Sequence, residues 1–389
     1  MPDAVIVDAV RTPIGKFGGG LLEFSAADLA AHVIRALVER MNVPVEQVDE
    51  VILGQVLQAG SSANVARKAA MAAGLPETVC AYTVSKTCGS GMKAIEEARR
   101  AILLGEGSLL IAGGVESMSN VPFYAPELRW GHKLGSTTLV DGVMDEGLTC
   151  PVSGAVMGMT AESLAQRTGI TRREADAWAL RSQNRAQAAI EGGRFRDEIV
   201  PLARRKAEPF ATDEHPRATS PEALAGLRPA FRPDGCVTAG NASGINDGAA
   251  ALLVAEAARA RALGWRSRAT ILASAAAGIA PEMMGLGPVE AVRKVCAKLG
   301  ITPQDFDLVE LNEAFAVQAL AVTRELGLDE ERVNVNGGGV ALGHPIGASG
   351  ARIVVTLLYE MERRDARLGL ATLCIGGGMG IAMVIEREE

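Results

Sequence analysis

Apolar residues recur along this chain in two alternating rhythms. Nearly continuous apolar runs, "AVIVDAVRT" (4–12), "VDEVILGQVL" (48–57) and "SLLIAGGVES" (108–117), read as strands. Between them, "SAADLAAHVIRALVERM" (25–41) and a stretch from about Ser90 to Leu104 space their apolar residues three and four apart, as one face of a helix requires. Strands alternating with helices of this length predict a layered α/β unit, which ends near residue 118.

The rhythm changes over residues 119–247, which hold "NVPFYAPELRWGHKLG" (120–135), the helical "READAWALRSQNRAQAAIEGG" (173–193) and the polar "ATDEHPRATSPEALAGLRPAFRPDG" (211–235). Apolar anchors at Trp130, Trp178, Leu224, Leu227 and Phe231 predict an elaboration carrying binding loops rather than a linker. "NDGAAALLVAEAARARALG" (246–264) reads as a helical return to the first unit, and "RATILASAAAG" (268–278) opens a second α/β unit. That unit continues with a helix near 288–299, the strand "DLVELNEA" (307–314), a helix near 314–326, a glycine-rich segment, the helical "SGARIVVTLLYEMERR" (349–364), and closing strands in "LGLATLCIGGG" (368–378) and "MGIAMVIERE" (379–388). The chain thus divides into a first half (1–118 with 248–268), an insertion (119–247) and a second half (269–389). "TVSKTCGSGM" (83–92) and "ATLCIGGGM" (371–379) echo each other, each leading a strand-like run through a cysteine into glycines and a methionine. The echo predicts two similar halves presenting comparable turns to a shared seam.

At 389 residues, 48% hydrophobic and 22% charged, the chain can bury a large core and lies outside the range of disordered sequences. A formal charge of −7 disfavours a broad nucleic-acid surface but leaves room for a local basic pocket. No run of about 18 apolar residues predicts a membrane span. The opening "MPDAVIVDAVRTP" reads as a first strand rather than a signal peptide, so the cytoplasm is the expected location. Cysteines 80, 88, 150, 236, 296 and 374 lack CxxC or metal-ligand spacing and are expected as free thiols, with no metal site.

Two of these cysteines carry candidate chemistry. Cys88 lies where an extended approach meets Gly89, Ser90 and Gly91 and a helix begins, a turn whose N–H groups and helix dipole favour a thiolate; a structural cysteine at a tight turn fits the same residues. His344, in "NGGGVALGHPIGASG" (336–350), supplies an imidazole able to take a thiol proton, although a loop histidine also serves as an ordinary hydrogen-bonded group. Cys374, ahead of "IGGGMG", is either a second thiol exchanging protons with carbon or a glycine-bordered sheet cysteine. Asn312, at a strand-to-helix junction, either orients a water or oxyanion or caps the helix.

Taken together, "RTPIGKFGG", "SKTCGSGMKA", "TAGNASGINDGAA", "NEAFA", "NVNGGGVALGHPIGASG" and "LCIGGGMG" resemble the thiolase family in order over essentially the whole chain. The resemblance implies two duplicated βαβαβαββ halves in a five-layer α/β/α/β/α structure, with the inserted loop domain shaping a coenzyme A tunnel. It implies an acyl-accepting Cys88, its activating partner His344, an acid/base Cys374 and a water-holding Asn312. With the water on Asn312, His344 would also stabilise a thioester oxyanion, and a second oxyanion hole would come from the N–H groups of Cys88 and Gly376. By the same likeness Arg217 attracts phosphate, Leu227, Phe231, Ala239 and Ser243 flank the nucleotide and pantetheine, and Met157, Ala314 and Phe315 line the tunnel near the reacting carbon.

The reaction so implied is reversible condensation of two acetyl-CoA into acetoacetyl-CoA and CoA, with acyl-CoA and CoA as substrates or products, no permanently bound cofactor, and a homodimer or homotetramer as the assembly. The segment "RWGHKLGSTTLVDGVMDEGL" (129–148) is similar to the tunnel-forming loop of that branch. One departure points to the alternative, a broader 3-ketoacyl-CoA thiolase: Val156-Met157-Gly158 stands where short-chain members commonly have His-Met-Gly. A noncatalytic carrier would be expected to lose part of the Cys88, Asn312, His344 and Cys374 set. A dinucleotide-dependent dehydrogenase would need a GxGxxG turn after the first strand, where "DAVRTPIGKFGGGLLEF" offers none.

Overall fold

The structure, a computed structural model, describes residues 3–61, 63–205 and 207–387. In the first half, β1 (Ala4–Arg11) and the short β2 (Gly15–Lys16) lead to α1 (Ala26–Met41), β3 (Glu50–Gly54), α2 (Val65–Ala72), β4 (Cys80–Val84), α3 (Ser90–Leu104) and β5 (Leu109–Ser117). The insertion carries the two-residue strands β6 (Phe123–Tyr124) and β7 (Val140–Asp141), then α4 (Met157–Thr168), α5 (Arg172–Glu191) and α6 (Pro221–Ala225). The chain returns through β8 (Asn246–Glu256) and α7 (Ala257–Ala262). The second half follows as β9 (Ala269–Gly278), α8 (Gly287–Leu299), β10 (Leu308–Leu311), α9 (Ala316–Leu326), α10 (Gly339–Leu342), α11 (Ile346–Arg364), β11 (Leu368–Ile375) and β12 (Met379–Glu386). Local signals set several boundaries: Ser25 and Asp28 form a reciprocal cap at the start of α1, and left-handed glycines Gly105, Gly300 and Gly327 end α3, α8 and α9.

Strand order reveals the duplication. The first half reads β4-β3-β5-β8-β1 across its sheet: third, second, fourth, fifth, first. The second half reads β10-β11-β12-β9, and Val333 pairs with Val309 in parallel outside β10. With Val333 standing for a third strand reduced to one bridge, the order is again third, second, fourth, fifth, first. The two first strands meet antiparallel, Val5 opposite Thr270 and Ile6 opposite Ala269, joining both halves edge to edge.

Five layers follow from what each face buries. Met92, Ile95 and Ile102 of α3 and Ile353, Leu357 and Met361 of α11 share one core with Ile6, Leu110, Leu373 and Met383 from the two sheets. Leu29, Val33 and Leu37 of α1 and Val65 and Ala69 of α2 cover the outer face of the first sheet. Val292 and Val295 of α8 and Val317 and Leu320 of α9 cover that of the second, joined by Leu164 and Trp178 of the insertion. At about 25 cal/mol per Å² of apolar surface removed from water, these three cores supply the main stabilising term.

Some expectations need correction. The 246–264 segment is not a helix: eleven of its residues form β8, and only Ala257–Ala262 is helical. Asn246 to Ala255 are all buried, so the run has no polar face for a surface helix, and its small residues fit between β1 and β5. The cysteine echo does not mark equivalent positions either, because Cys88 precedes a helix whereas Cys374 ends a strand that turns back into β12. Within the insertion, Trp178 and Leu224 are buried anchors, but Trp130 is 91% exposed, and Leu227 and Phe231 retain over a third of their surface.

Candidate active site

Cys88 and His344 are structural counterparts. Each is the residue just before the N-cap of its half's central helix, Gly89 for α3 and Pro345 for α11. The helices cross so closely that a Cβ on Gly91 would lie 2.8 Å from both the Gly347 carbonyl and the Ala351 nitrogen. Glycine at this crossing brings the two helix starts, and so the thiol and the imidazole, to one cavity of about 330 Å³.

The turn bearing Cys88 is held in a conformation most residues avoid: Thr87 has φ +42°, with the Ser90 hydroxyl donating to its carbonyl at 2.6 Å and accepting from the Lys86 N–H at 2.7 Å. Burial pushes the Cys88 thiol up to about 11, against the backbone N–H groups of Gly376 and Cys88 itself, which favour the anion. The resting group is therefore a thiol, contrary to the thiolate expected from its turn. Cys374, at the end of β11, also lines the cavity. Its thiol is driven higher still, first by burial and then by the neighbouring Cys88 sulfur. Gly376 follows, and Gly377 and Gly378 adopt φ +86° and +83° to turn the chain into β12.

His344 is 7% exposed, and burial, with the charge of Arg352, lowers its pKa to about 4, so it is neutral near pH 7. Its Nδ1 lies 2.5 Å from the Ser349 hydroxyl, its backbone N–H donates to Asn246 Oδ1 at 3.0 Å, and Nε2 is buried without a protein partner. Glu116 fixes the start of the same helix by accepting from Gly347 N–H at 2.9 Å and from the N–H groups of Val56 and Leu57, each at 3.1 Å.

Asn312 follows β10 and precedes Phe315, the actual N-cap of α9, so it is not a helix cap. Both polar atoms of its side chain are buried without protein partners. Such atoms invite an ordered water or a substrate oxygen. Asn312 does not itself line the cavity, where the wall is made by Ala314 and Phe315. Glu313 next to it accepts from Trp178 Nε1, Ser182 Oγ, Asn334 Nδ2 and Val340 N–H, tying the insertion to this loop.

Among the expected substrate contacts, Met157, Phe231, Ala239, Ser243, Ala314 and Phe315 all line the cavity, as does Val156. Arg217 and Leu227 do not. Arg217 is exposed and donates to the Ala239 carbonyl at 2.9 Å, which puts its charge beside a lining residue. Of the 129–148 segment, only Met144, Gly147 and Leu148 reach the cavity, while Trp130 and Leu134 stand free of it. Sequence reasoning missed Ser349, legible only as a hydroxyl one helical turn beyond Pro345, and Met118, Met284 and Ile346, whose apolar character carried no signal. Among the described residues, no group of three or more His, Cys, Asp or Glu side chains is arranged to hold a metal ion, and no helix is long and apolar enough to cross a membrane.

The arrangement suits acyl transfer: a nucleophile with a neutral base, two backbone donors at its sulfur and a second thiol on one cavity. The thiolase N-terminal domain matches residues 4–258 and the thiolase C-terminal domain residues 265–387. The chain is 56% identical to an acetyl-CoA acetyltransferase of Pseudomonas aeruginosa and 54% identical to one of Escherichia coli, covering 100% of both chains in each case. The crystal structure of the Bacillus anthracis acetyl-CoA acetyltransferase superposes with a TM-score of 0.97 at 49% identity, covering 100% of this chain and 99% of that one. Two family regions matched in order, and a fold shared throughout with such a relative, make this chain a member of the thiolase family.

Proposed function

We propose that this chain is an acyltransferase that condenses two acetyl-CoA reversibly into acetoacetyl-CoA and CoA through an acyl-Cys88 intermediate. The observation that carries the reading is the opening of Cys88, His344, Cys374 and Gly376 onto one cavity. His344 Nε2 takes the Cys88 proton as the sulfur attacks the thioester carbonyl. The oxyanion of the tetrahedral intermediate is held by the N–H groups of Cys88 and Gly376. CoA departs with the proton of Cys374, leaving that sulfur as a thiolate. Burial, which raises its pKa, makes this thiolate a strong base toward carbon and makes the preceding transfer to CoA the harder of the two. While it is acylated, Cys88 cannot ionise and so carries no charge to oppose a Cys374 thiolate beside it.

The Cys374 thiolate then takes a C2 proton from acetyl-CoA, and the enolate oxygen is stabilised by protonated His344 and a water held by Asn312. Attack on acyl-Cys88 forms the new carbon–carbon bond and expels the Cys88 thiolate, which recovers its proton from His344. No permanently bound cofactor is required. The CoA portion extends past Met157, Phe231, Ala239 and Ser243 toward Arg217, whose exposed charge is free to meet phosphate.

Full-length relatives named acetyl-CoA acetyltransferase support the four-carbon reading over the broader 3-ketoacyl-CoA thiolase. The test is kcat/KM for thiolysis of four-, six-, eight- and ten-carbon 3-ketoacyl-CoAs at saturating CoA, beside the condensation assay. A maximum at four carbons with measurable condensation is expected; negligible four-carbon activity beside robust longer-chain cleavage would overturn the assignment. We further propose a cytoplasmic homodimer or homotetramer. β4 is an outer edge strand, and Trp130 and Leu134 are 91% and 92% exposed, features that favour association with a second copy.

A further inference from the structure

We propose that Ser349 is a positioning residue that sets the tautomer of His344 and so keeps Nε2 free as the base. The hydroxyl, on the fourth residue of α11 and 1% exposed, has two partners: His344 Nδ1 at 2.5 Å and the Pro345 carbonyl at 2.8 Å. A hydroxyl has one hydrogen and a carbonyl can only accept, so the hydrogen belongs to the Pro345 contact. Were it turned toward Nδ1 instead, two oxygens would face each other at 2.8 Å with no hydrogen between them. Ser349 Oγ must then accept, and His344 Nδ1 must carry the ring proton. The chain Nδ1–H to Oγ–H to O=C runs in one direction, and each bond polarises the next.

The consequence lies at the other end of the ring. A neutral imidazole has one N–H, so Nε2 keeps a lone pair, and this atom is buried, unpartnered and on a residue lining the cavity. The opposite tautomer would present an Nε2–H to the Cys88 thiol, a donor where a base is needed. Ser349 also serves the protonated state, since its oxygen still accepts from Nδ1–H once Nε2 has gained the Cys88 proton. That support matters here, because burial and Arg352 both disfavour the imidazolium.

The proposal rests on His344 acting as the base, and the experiment separates the two ideas. Ser349→Ala, Ser349→Thr and Ser349→Val are compared with wild type and His344→Asn; Thr and Val are nearly equal in size, but only Thr has a hydroxyl. Single-turnover acylation of Cys88 by acetoacetyl-CoA is timed by rapid quench, and the protein is labelled with [15N]histidine. With only four histidines in the chain, the His344 ring signals can be assigned from the His344→Asn spectrum. In wild type and Ser349→Thr, Nδ1 should be protonated and acylation should be fast. In Ser349→Ala and Ser349→Val the ring should shift toward Nε2–H, and acylation should slow about 10²-fold, at the low end of what a positioned base contributes, with little change in KM. If Ser349→Val keeps both the Nδ1–H tautomer and wild-type acylation while His344→Asn is slow, the role of Ser349 is overturned. If His344→Asn acylates as fast as wild type, the reading of His344 as base fails, and with it this proposal.

Discussion

Burial sets the protonation of His344 and Cys374. Because the folded pKa of His344 is about 4 against 6.5 when unperturbed, the unfolded chain binds more protons between these values. Folding stability from this group is full above pH 6.5 and lost as pH falls toward 4, by about 3 kcal/mol for a shift of this size. Urea unfolding between pH 4 and 8 should show this acid loss in wild type and lose that part of it in His344→Asn; parallel profiles would mean that the ring is not held neutral. Cys374→Ser should still acylate Cys88, but deuterium uptake at C2 of bound acetyl-CoA in D2O should fall by roughly 10²–10⁴, the range for a lost acid/base. Normal exchange in this variant would remove Cys374 from the carbon step.

Elements deliver these residues, and the joints between elements were the part least legible in the sequence. α3 was readable to the residue because its apolar spacing begins just after the Cys88 turn and ends at Gly105. β8 was misread because an alanine-rich run buried on every side carries no period to separate strand from helix. Cys88, His344 and Cys374 stood out through their glycine-rich surroundings and the ordered likeness to a family. Ser349, Glu116 and Asn246 support them through folded contacts spanning 5 to 231 positions, which no local pattern records. Glu116 carries an element-scale prediction. Glu116→Gln replaces one acceptor by an NH2 facing a backbone donor, so it should cost about 1–3 kcal/mol of stability. The sign with pH is opposite to that of His344: the folded pKa of Glu116 is raised to about 7, so its contribution is full below about pH 4.5 and lost as pH rises through 7. The Gln variant should lose this decline; an unchanged slope would place it elsewhere.

Across the whole molecule, duplication explains how a single chain places the Cys88 thiol and the His344 imidazole on one cavity: each half offers the start of its central helix, and the halves meet there. The insertion lies between β5 and β8, in the same connection that β11 and β12 close with a tight glycine turn. One half thus spends this connection on walling the cavity with Met157, Phe231 and Ala239, and the other on presenting Cys374 and Gly376 to it. Light scattering should find a mass two or four times 40.5 kDa, and Trp130→Ser with Leu134→Ser should shift the distribution toward smaller species; a fully active monomer would count against the assembly. The most direct test of the central claim is peptide mapping after rapid quench of wild type, Cys88→Ser and Cys374→Ser with acetyl-CoA. The acetyl label should lie on the peptide containing Cys88 in wild type and Cys374→Ser, with turnover lost in Cys88→Ser. A principal label on another residue, with turnover preserved in Cys88→Ser, would contradict the account.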